Sequence, residues 1–368
     1  MDSHCFDVVV VGAGISGLTA VSAAARSNQR VALVATGPGS FVHRSGCLKA
    51  QEFLRSRASY QMDEAIAYFQ EMAQAACAPL EGSISEARYL PTILGDFQSL
   101  ALAPRPLWNA EPRNGAATVI VGIRELSCFD ENFMAERLKE QAHKLGVACT
   151  YTARQLSLAH AFGGSVTTVR IANRFDNDPG FRSAFVNELG LVASGYERIL
   201  VPGILGLHSS AHQFAHFECE LGCSLSELPT LPPSVSGLRL FNRLWSYLRE
   251  IGVELFQGFP VQKIQIQKGS CAELQIASPG HPLILRGESV VLAAGRDSAR
   301  LLGTAFAGID ERMRPLNAAG SVMARNIFVA ELGPNYRVKG DGDAMEIYAG
   351  YRAGNLATAT RGGQYAAG

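Results

Sequence analysis

The chain has 368 residues, with 33 basic and 33 acidic side chains that cancel, so its charge points neither to nucleic acid nor to an anionic membrane surface as a partner. Its length allows about two domains, and its 37 glycines exceed the usual share of about 7%, which suits a backbone that approaches a ligand closely. No apolar run nears the ~20 residues of a spanning helix, and the first strand leaves no room ahead of it for a leader.

In chain order, Asp7-Val8-Val9-Val10-Val11 is a β-branched run that breaks at Gly12-Ala13-Gly14-Ile15-Ser16-Gly17, and an alanine-rich stretch follows over 18–25. This reads as a buried parallel strand, a tight turn and a helix start, with a second strand at Arg30-Val31-Ala32-Leu33-Val34. Such a unit cradles a pyrophosphate on the free N–H groups of the helix N-terminus. After the second strand many dinucleotide folds carry an acid for the ribose, but here the chain reads Ala35-Thr36-Gly37-Pro38-Gly39. The ribose contact then falls to Thr36, a backbone group or nothing, or else the ligand is a mononucleotide. The loop Arg44-Ser45-Gly46-Cys47 can lie beside a flavin ring and its phosphate, or be a surface loop with a glycine turn.

Residues 51–80 are expected to be helical, with Ala65, Ile66, Phe69 and Met72 on one face. Prolines 91, 104 and 106 and Gly95 predict irregular chain over 84–108. A strand at 118–122, a helix at 132–145 and a strand at 147–151 argue for a second domain inserted into the first. Within it His208, His212 and His216 share a face if helical; solvated or core roles are favoured over a metal, and none is expected. The eight cysteines are scattered without CxxC pairs and read as free thiols.

The stretch Leu228-Pro229-Thr230-Leu231-Pro232-Pro233 cannot be a central strand. A helix from Ser236-Gly237 through Trp245 to Arg249 returns the chain to the nucleotide domain. Val253-Glu254-Leu255-Phe256 matches a third parallel strand, and 261–266, 272–277 and 283–285 form a meander. Val290-Val291-Leu292-Ala293-Ala294-Gly295 is a buried strand whose small end permits close approach to a cofactor. Asn326-Ile327-Phe328-Val329-Ala330 is another, and Gly340-Asp341-Gly342-Asp343 leads into a helix from Ala344 onward, where Asp343 is either a cap or a charge facing the ligand.

The expected fold is α/β: a Rossmann-like, FAD/NAD(P)-binding three-layer fold with an inserted second α/β domain. Residues 1–80 and 235–368 would form the nucleotide domain and 81–234 the insertion. The expected cofactor residues are Gly12, Ala13, Gly14, Ile15, Ser16, Gly17, Thr36, Arg44, Ser45, Gly46, Cys47, Ala294, Gly295, Gly342, Asp343 and Ala344. No His/Arg pair is singled out as catalytic; Arg174 and Arg239 are candidates for anion binding, against a structural role for each.

Together the glycine turn, the 290–296 strand and the last helix resemble the FAD-dependent oxidoreductases that include the fumarate reductase and succinate dehydrogenase flavoproteins. Leu228-Pro229-Thr230-Leu231-Pro232-Pro233-Ser234-Val235-x-Gly237-x-Arg239-Leu240 resembles the B subunits of anaerobic glycerol-3-phosphate dehydrogenases. Val121-Gly122-Ile123 with Phe129, and Val169-x-Ile171-Ala172-x-x-x-Asp176-Asn177, support the same family. The resemblance implies FMN in this subunit, in keeping with the missing ribose acid, whereas the complete dinucleotide fingerprint favours FAD, so FAD is expected with FMN as the alternative. The resemblance also implies a catalytic flavoprotein A subunit and an iron–sulfur C subunit as partners. It further implies relay of electrons from sn-glycerol 3-phosphate oxidation to quinone, in a cytoplasmic chain or one peripheral at the inner face of the cell membrane. A self-sufficient FAD oxidoreductase of a small hydroxy acid or amine, and a non-catalytic assembly subunit, are the competing readings. Ala330-Glu331-Leu332-Gly333 departs from the family, where a glycine and then an acid or serine is usual.

Overall fold

The computed structural model describes residues 3–49, 60–279, 281–331 and 343–359. They divide into two compact units. The first comprises the described parts of Met1–Ser40, Arg57–Met72 and Leu244–Gly368, and the second those of Phe41–Ser56 and Ala73–Arg243. These limits differ from the expected 1–80, 81–234 and 235–368: the second unit takes up chain from Phe41 onward and runs on to Arg243.

In the first unit, strand Ser3–Val11 pairs in parallel with Val31–Ala35 on one side and Leu283–Leu292 on the other. Glu254–Gln257 and Ile327–Val329 extend the parallel sheet at its two ends. Five parallel strands built from β-branched residues are covered on both faces, as such sheets must be. Val9 and Val11 face a core with Ala32, Val34, Val290 and Leu292, which the antiparallel meander Val261–Gln267, Ser270–Ile276 and Leu283–Leu292 closes through Ile264, Leu274 and Ile276. By strand alternation Val8 and Val10 point to the opposite face, and both are fully buried. Helices Ile15–Ala25 and Asp343–Ala359 pack together through their smallest residues: a Cβ at Gly350 would lie 2.2 Å from the Ser16 carbonyl oxygen, and one at Gly354 2.4 Å from that of Ala20. The result is the expected α/β, Rossmann-like three-layer arrangement of helices, parallel sheet and meander.

The second unit holds four parallel strands in the order Ser224–Leu228, Arg198–Pro202, Ala117–Ile123, Thr150–Leu156. One face packs on Phe175, Phe181, Phe185, Phe214 and Phe217; the other packs on Met134, Ala135 and Leu138 of helix Glu131–Lys144. Asp130, Asp178 and Ser210 cap the helices that follow them, each accepting a hydrogen bond from a first-turn N–H group. Here, too, local chemistry and tertiary packing agree.

Three expectations are corrected. Residues 84–108 are not irregular: Arg88–Pro91 and Phe97–Pro104 are antiparallel strands joined by a tight turn at Gly95. Pro91 and Pro104 sit at strand ends, Gly95 in the turn and Pro106 in the first turn of the short helix Arg105–Trp108, places where a missing donor or a positive φ costs little. The strand expected at 147–151 starts at Thr150 and runs to Leu156, its register set by pairing Thr118 with Tyr151. His208 precedes helix Ala211–Leu221, so the three histidines do not share one helical face.

Candidate nucleotide site

The glycine turn follows strand Ser3–Val11 for steric reasons. Gly12 has φ +107°, and a Cβ there would lie 2.2 Å from the Ala293 carbonyl oxygen; one at Gly17 would lie 1.9 Å from that of Gly12. These two glycines lock turn, helix and neighbouring strand together. Gly14 differs. Its φ is −70°, nothing would lie within 4 Å of a Cβ, and it is the N-cap of helix Ile15–Ala25 with no side-chain cap. The first-turn N–H groups, which have no intrahelical acceptor, therefore open into a cavity of about 590 Å³.

That cavity lies wholly in the first unit. Gly12, Ala13, Gly14 and Ser16 form its floor; Ala35, Thr36, Phe259 and Pro260 one flank; Ala294, Gly295, Glu331 and Glu346 the other. Every parallel strand except Glu254–Gln257 delivers wall residues from its C-terminal end or just beyond, and Phe259 and Pro260 follow shortly after that strand. This is the position where open α/β sheets hold ligands. Ser40 also lines it, and the Ser40 hydroxyl is buried with no hydrogen-bond partner among the described residues.

At the far flank Glu331 accepts a 2.5 Å hydrogen bond from the Ser298 hydroxyl and another from the Gly295 N–H. Burial pushes its carboxyl up to about 7, outweighing these bonds, and the nearby Glu346 adds to the rise. A group held there exchanges a proton near neutrality and can both donate to and accept from a ligand hydroxyl. At the rim Asp297 and Arg300 pair at 3.1 Å.

Of the expected cofactor residues, Gly12, Ala13, Gly14, Ser16, Thr36, Ala294 and Gly295 meet in this one wall. Ile15 and Gly17 do not line it; both turn inward, Ile15 into the core and Gly17 against Gly12. Asp343 and Ala344 start the last helix, but that helix reaches the cavity one turn later, through Glu346. Gly342 lies outside the described residues. Arg44, Ser45, Gly46 and Cys47 belong to the second unit, where Ser45 and Cys47 line a separate cavity of about 250 Å³ with His43, Thr92, Gln98, Thr230 and Ser234. Burial raises the Cys47 thiol to about 11, so it is a neutral thiol.

Sequence reading missed Ser40, Phe259, Pro260, Glu331 and Glu346. Glu331 carried a usable signal, since it directly follows the buried run 326–330 at a strand's carboxyl end.

Neither arginine candidate lines this cavity. Arg239 is buried, bonded through both terminal nitrogens to Glu227 at 2.6 and 2.9 Å and through Nε to the Gly206 carbonyl at 2.7 Å. Glu227 also accepts from the Ile204 and Leu205 N–H groups, and Asp176 from those of Leu207 and His208. Loop 203–208 is thus held by two carboxylates. Arg174 is engaged by Asp178 and the Ala161 carbonyl and lies over the Phe162 and Phe181 rings. Among the described residues no group of three or more His, Cys, Asp or Glu side chains could hold a metal, and no helix is long and apolar enough to cross a membrane.

Comparison with known proteins then points one way. The chain is similar to the B subunit of anaerobic glycerol-3-phosphate dehydrogenase. The protein of that name from Pectobacterium carotovorum subsp. carotovorum (strain PC1) is 29% identical over 339 residues, covering 83% of this chain and 78% of its own. Those from Actinobacillus pleuropneumoniae serotype 5b (strain L20) and Yersinia pestis are 23% and 25% identical, covering 86% and 79% of this chain and 80% and 74% of theirs. No family model matches. Among solved structures, L-amino acid deaminase from Proteus myxofaciens in complex with anthranilate aligns with a TM-score of 0.33 at 14% identity, covering 83% of this chain and 49% of that one. L-proline dehydrogenase from P. horikoshii aligns with a TM-score of 0.35 at 12% identity, covering 81% and 55%. The chain thus spans about half the length of these solved structures, and likeness at this level decides neither site nor activity.

Proposed function

We propose that this chain is a flavin-binding redox subunit of a glycerol-3-phosphate dehydrogenase complex. The observation that carries the cofactor assignment is the open helix N-terminus at Gly14 facing a cavity whose wall includes the unpartnered Ser40 hydroxyl. The similarity to the B subunits of such dehydrogenases supports the complex.

The residues fit the group. The N–H groups of the first turn would hold the pyrophosphate with the help of the helix dipole. Gly12 and Gly17 keep the backbone close without adding bulk, and the Ser40 hydroxyl is placed to donate to an oxygen of the ligand. Glu331, held by the buried Ser298 hydroxyl behind it, and Glu346 form the polar flank suited to sugar or ribityl hydroxyls. Lining on both sides of the glycine turn, from Thr36 and Pro260 to Glu331, favours FAD over FMN, because a dinucleotide extends both ways from its pyrophosphate. With no acid after strand Val31–Ala35, Thr36 is the side chain at that edge. When bound, the flavin supplies acceptance and release of electrons; this chain's residues bind, orient and shield it.

In this reading the chain relays electrons from a catalytic flavoprotein A subunit toward an iron–sulfur C subunit and quinone, touching the membrane only through a partner. No arginine of the described chain is singled out as a free anion ligand beside the cavity except Arg300, which is paired at the rim, and this favours relay over turnover of a phosphate ester by the chain alone. Heat-releasing the cofactor from purified protein and measuring its mass tests the assignment. FAD is expected; FMN overturns the dinucleotide, and no flavin overturns the site. Reduction by glycerol 3-phosphate in the absence of the other chains of the complex overturns the relay.

A further inference from the structure

In the second unit, Thr118 is paired in register with Arg198 on one neighbouring strand and Tyr151 on the other. Laterally paired residues of parallel strands project to the same face, about 4.8 Å apart, so the three form one row across three strands. Arg198 is 4% exposed and Thr118 fully buried. Among the described residues the Arg198 Nε and Nη1, the Thr118 hydroxyl and the Tyr151 hydroxyl are all buried without a hydrogen-bond partner, the last having the weakly accepting Cys149 thiol beside it. Such a concentration of unmet donors in one row is rare, because each buried donor left bare loses its hydrogen bonds to water without replacement.

Charge selects the occupant. The Arg198 guanidinium, which stays protonated in proteins, spends Nη2 on the Asn109 and Glu111 carbonyls and touches no carboxylate. The facing groups are Cys149, Tyr151, Arg113 and the Glu111 carboxylate, and that carboxylate is already shared between Arg88 at 3.0 Å and Arg113 at 3.4 Å. Three cations thus surround one anion. Water would satisfy hydrogen bonds but leave the buried charge uncompensated.

We propose that Arg198, Thr118 and Tyr151 form a binding site for one small inorganic anion. The site lies in the second unit and does not depend on the flavin assignment.

Bromide is the probe. At fixed ionic strength, replacing sodium gluconate by sodium bromide raises the unfolding midpoint of the whole chain saturably by about 3 °C, and the rise disappears in Thr118→Val and Tyr151→Phe. Crystals of the unmodified chain grown in bromide show an anomalous peak within hydrogen-bond reach of Arg198 Nε; this arm decides the matter even if the variants fail to fold. Equal midpoints in the two salts, or density without anomalous signal between the three side chains, overturns the site in favour of water.

Discussion

Gly12 and Ala293 meet backbone to backbone, so closely that a methyl group on Gly12 would sit 2.2 Å from the Ala293 carbonyl oxygen. The contact ties the glycine turn to the strand whose small end lines the same cavity. Gly12→Ala adds this clash to a backbone held at φ +107°, and is expected to destabilise the protein by roughly 3 kcal/mol or more. Urea unfolding followed by circular dichroism measures it; a loss under about 1 kcal/mol would show that the turn relaxes freely.

Gly14→Val is the contrasting case. Its backbone is ordinary and the space beside it open, so stability should fall by only about 1 kcal/mol, the scale of a poorer N-cap. Flavin retention should be abolished, because the side chain occupies space facing the helix N-terminus. Absorbance of the purified variant checks this, and a full flavin spectrum would move the pyrophosphate elsewhere.

Glu331 gives the chain a pH signature. The unfolded carboxyl ionises near 4.5, whereas the folded one keeps its proton until about 7. Between those values the folded state binds more protons, so stability contributed by the neutral acid is present below 4.5 and lost as pH rises through 7. The loss is of order 2–3 kcal/mol, and Glu331→Gln should remove it. Urea midpoints of both proteins at pH 5 and pH 8 test this; parallel pH slopes would place the titration on another group.

Arg239 and Glu227 form a buried bidentate pair, side chains 5% and 0% exposed, that also clamps loop 203–208. Glu227→Ala leaves the guanidinium and two N–H groups bare, and should cost about 3–5 kcal/mol. The double variant Glu227→Leu with Arg239→Met should recover part of that loss, since no isolated charge remains. Thermal unfolding of the single and double variants reads the difference, and an unchanged midpoint in Glu227→Ala would count against the clamp.

Most of the first unit was readable because its signals are local: a valine run, a glycine turn and small residues at strand ends. The site was readable only in part. Ile15 and Gly17 belong to the glycine motif, but a helix turn points them into the core, which motif spacing alone does not register. Ser40, Pro260 and Glu346 come from segments far apart in sequence, brought together by strand order, and no single window contains that order. The structural role favoured for Arg239 is the one the structure shows, but its counter-ion Glu227 could not be named in advance, because that residue stands on a strand whose neighbours no local window reveals. Proline at 91 and 104 was read as breaking structure, though both residues end strands and so mark their limits.

The pairing of Ser3–Val11 with Leu283–Leu292, and of Ser16 and Ala20 with Gly350 and Gly354, has a consequence for biosynthesis. Until residues 283–292 have been translated, one edge of strand Ser3–Val11 has no partner, and the face of helix Ile15–Ala25 that meets Gly350 and Gly354 waits longer still. Premature termination anywhere before residue 283 therefore leaves an aggregation-prone valine strand with one lateral edge bare.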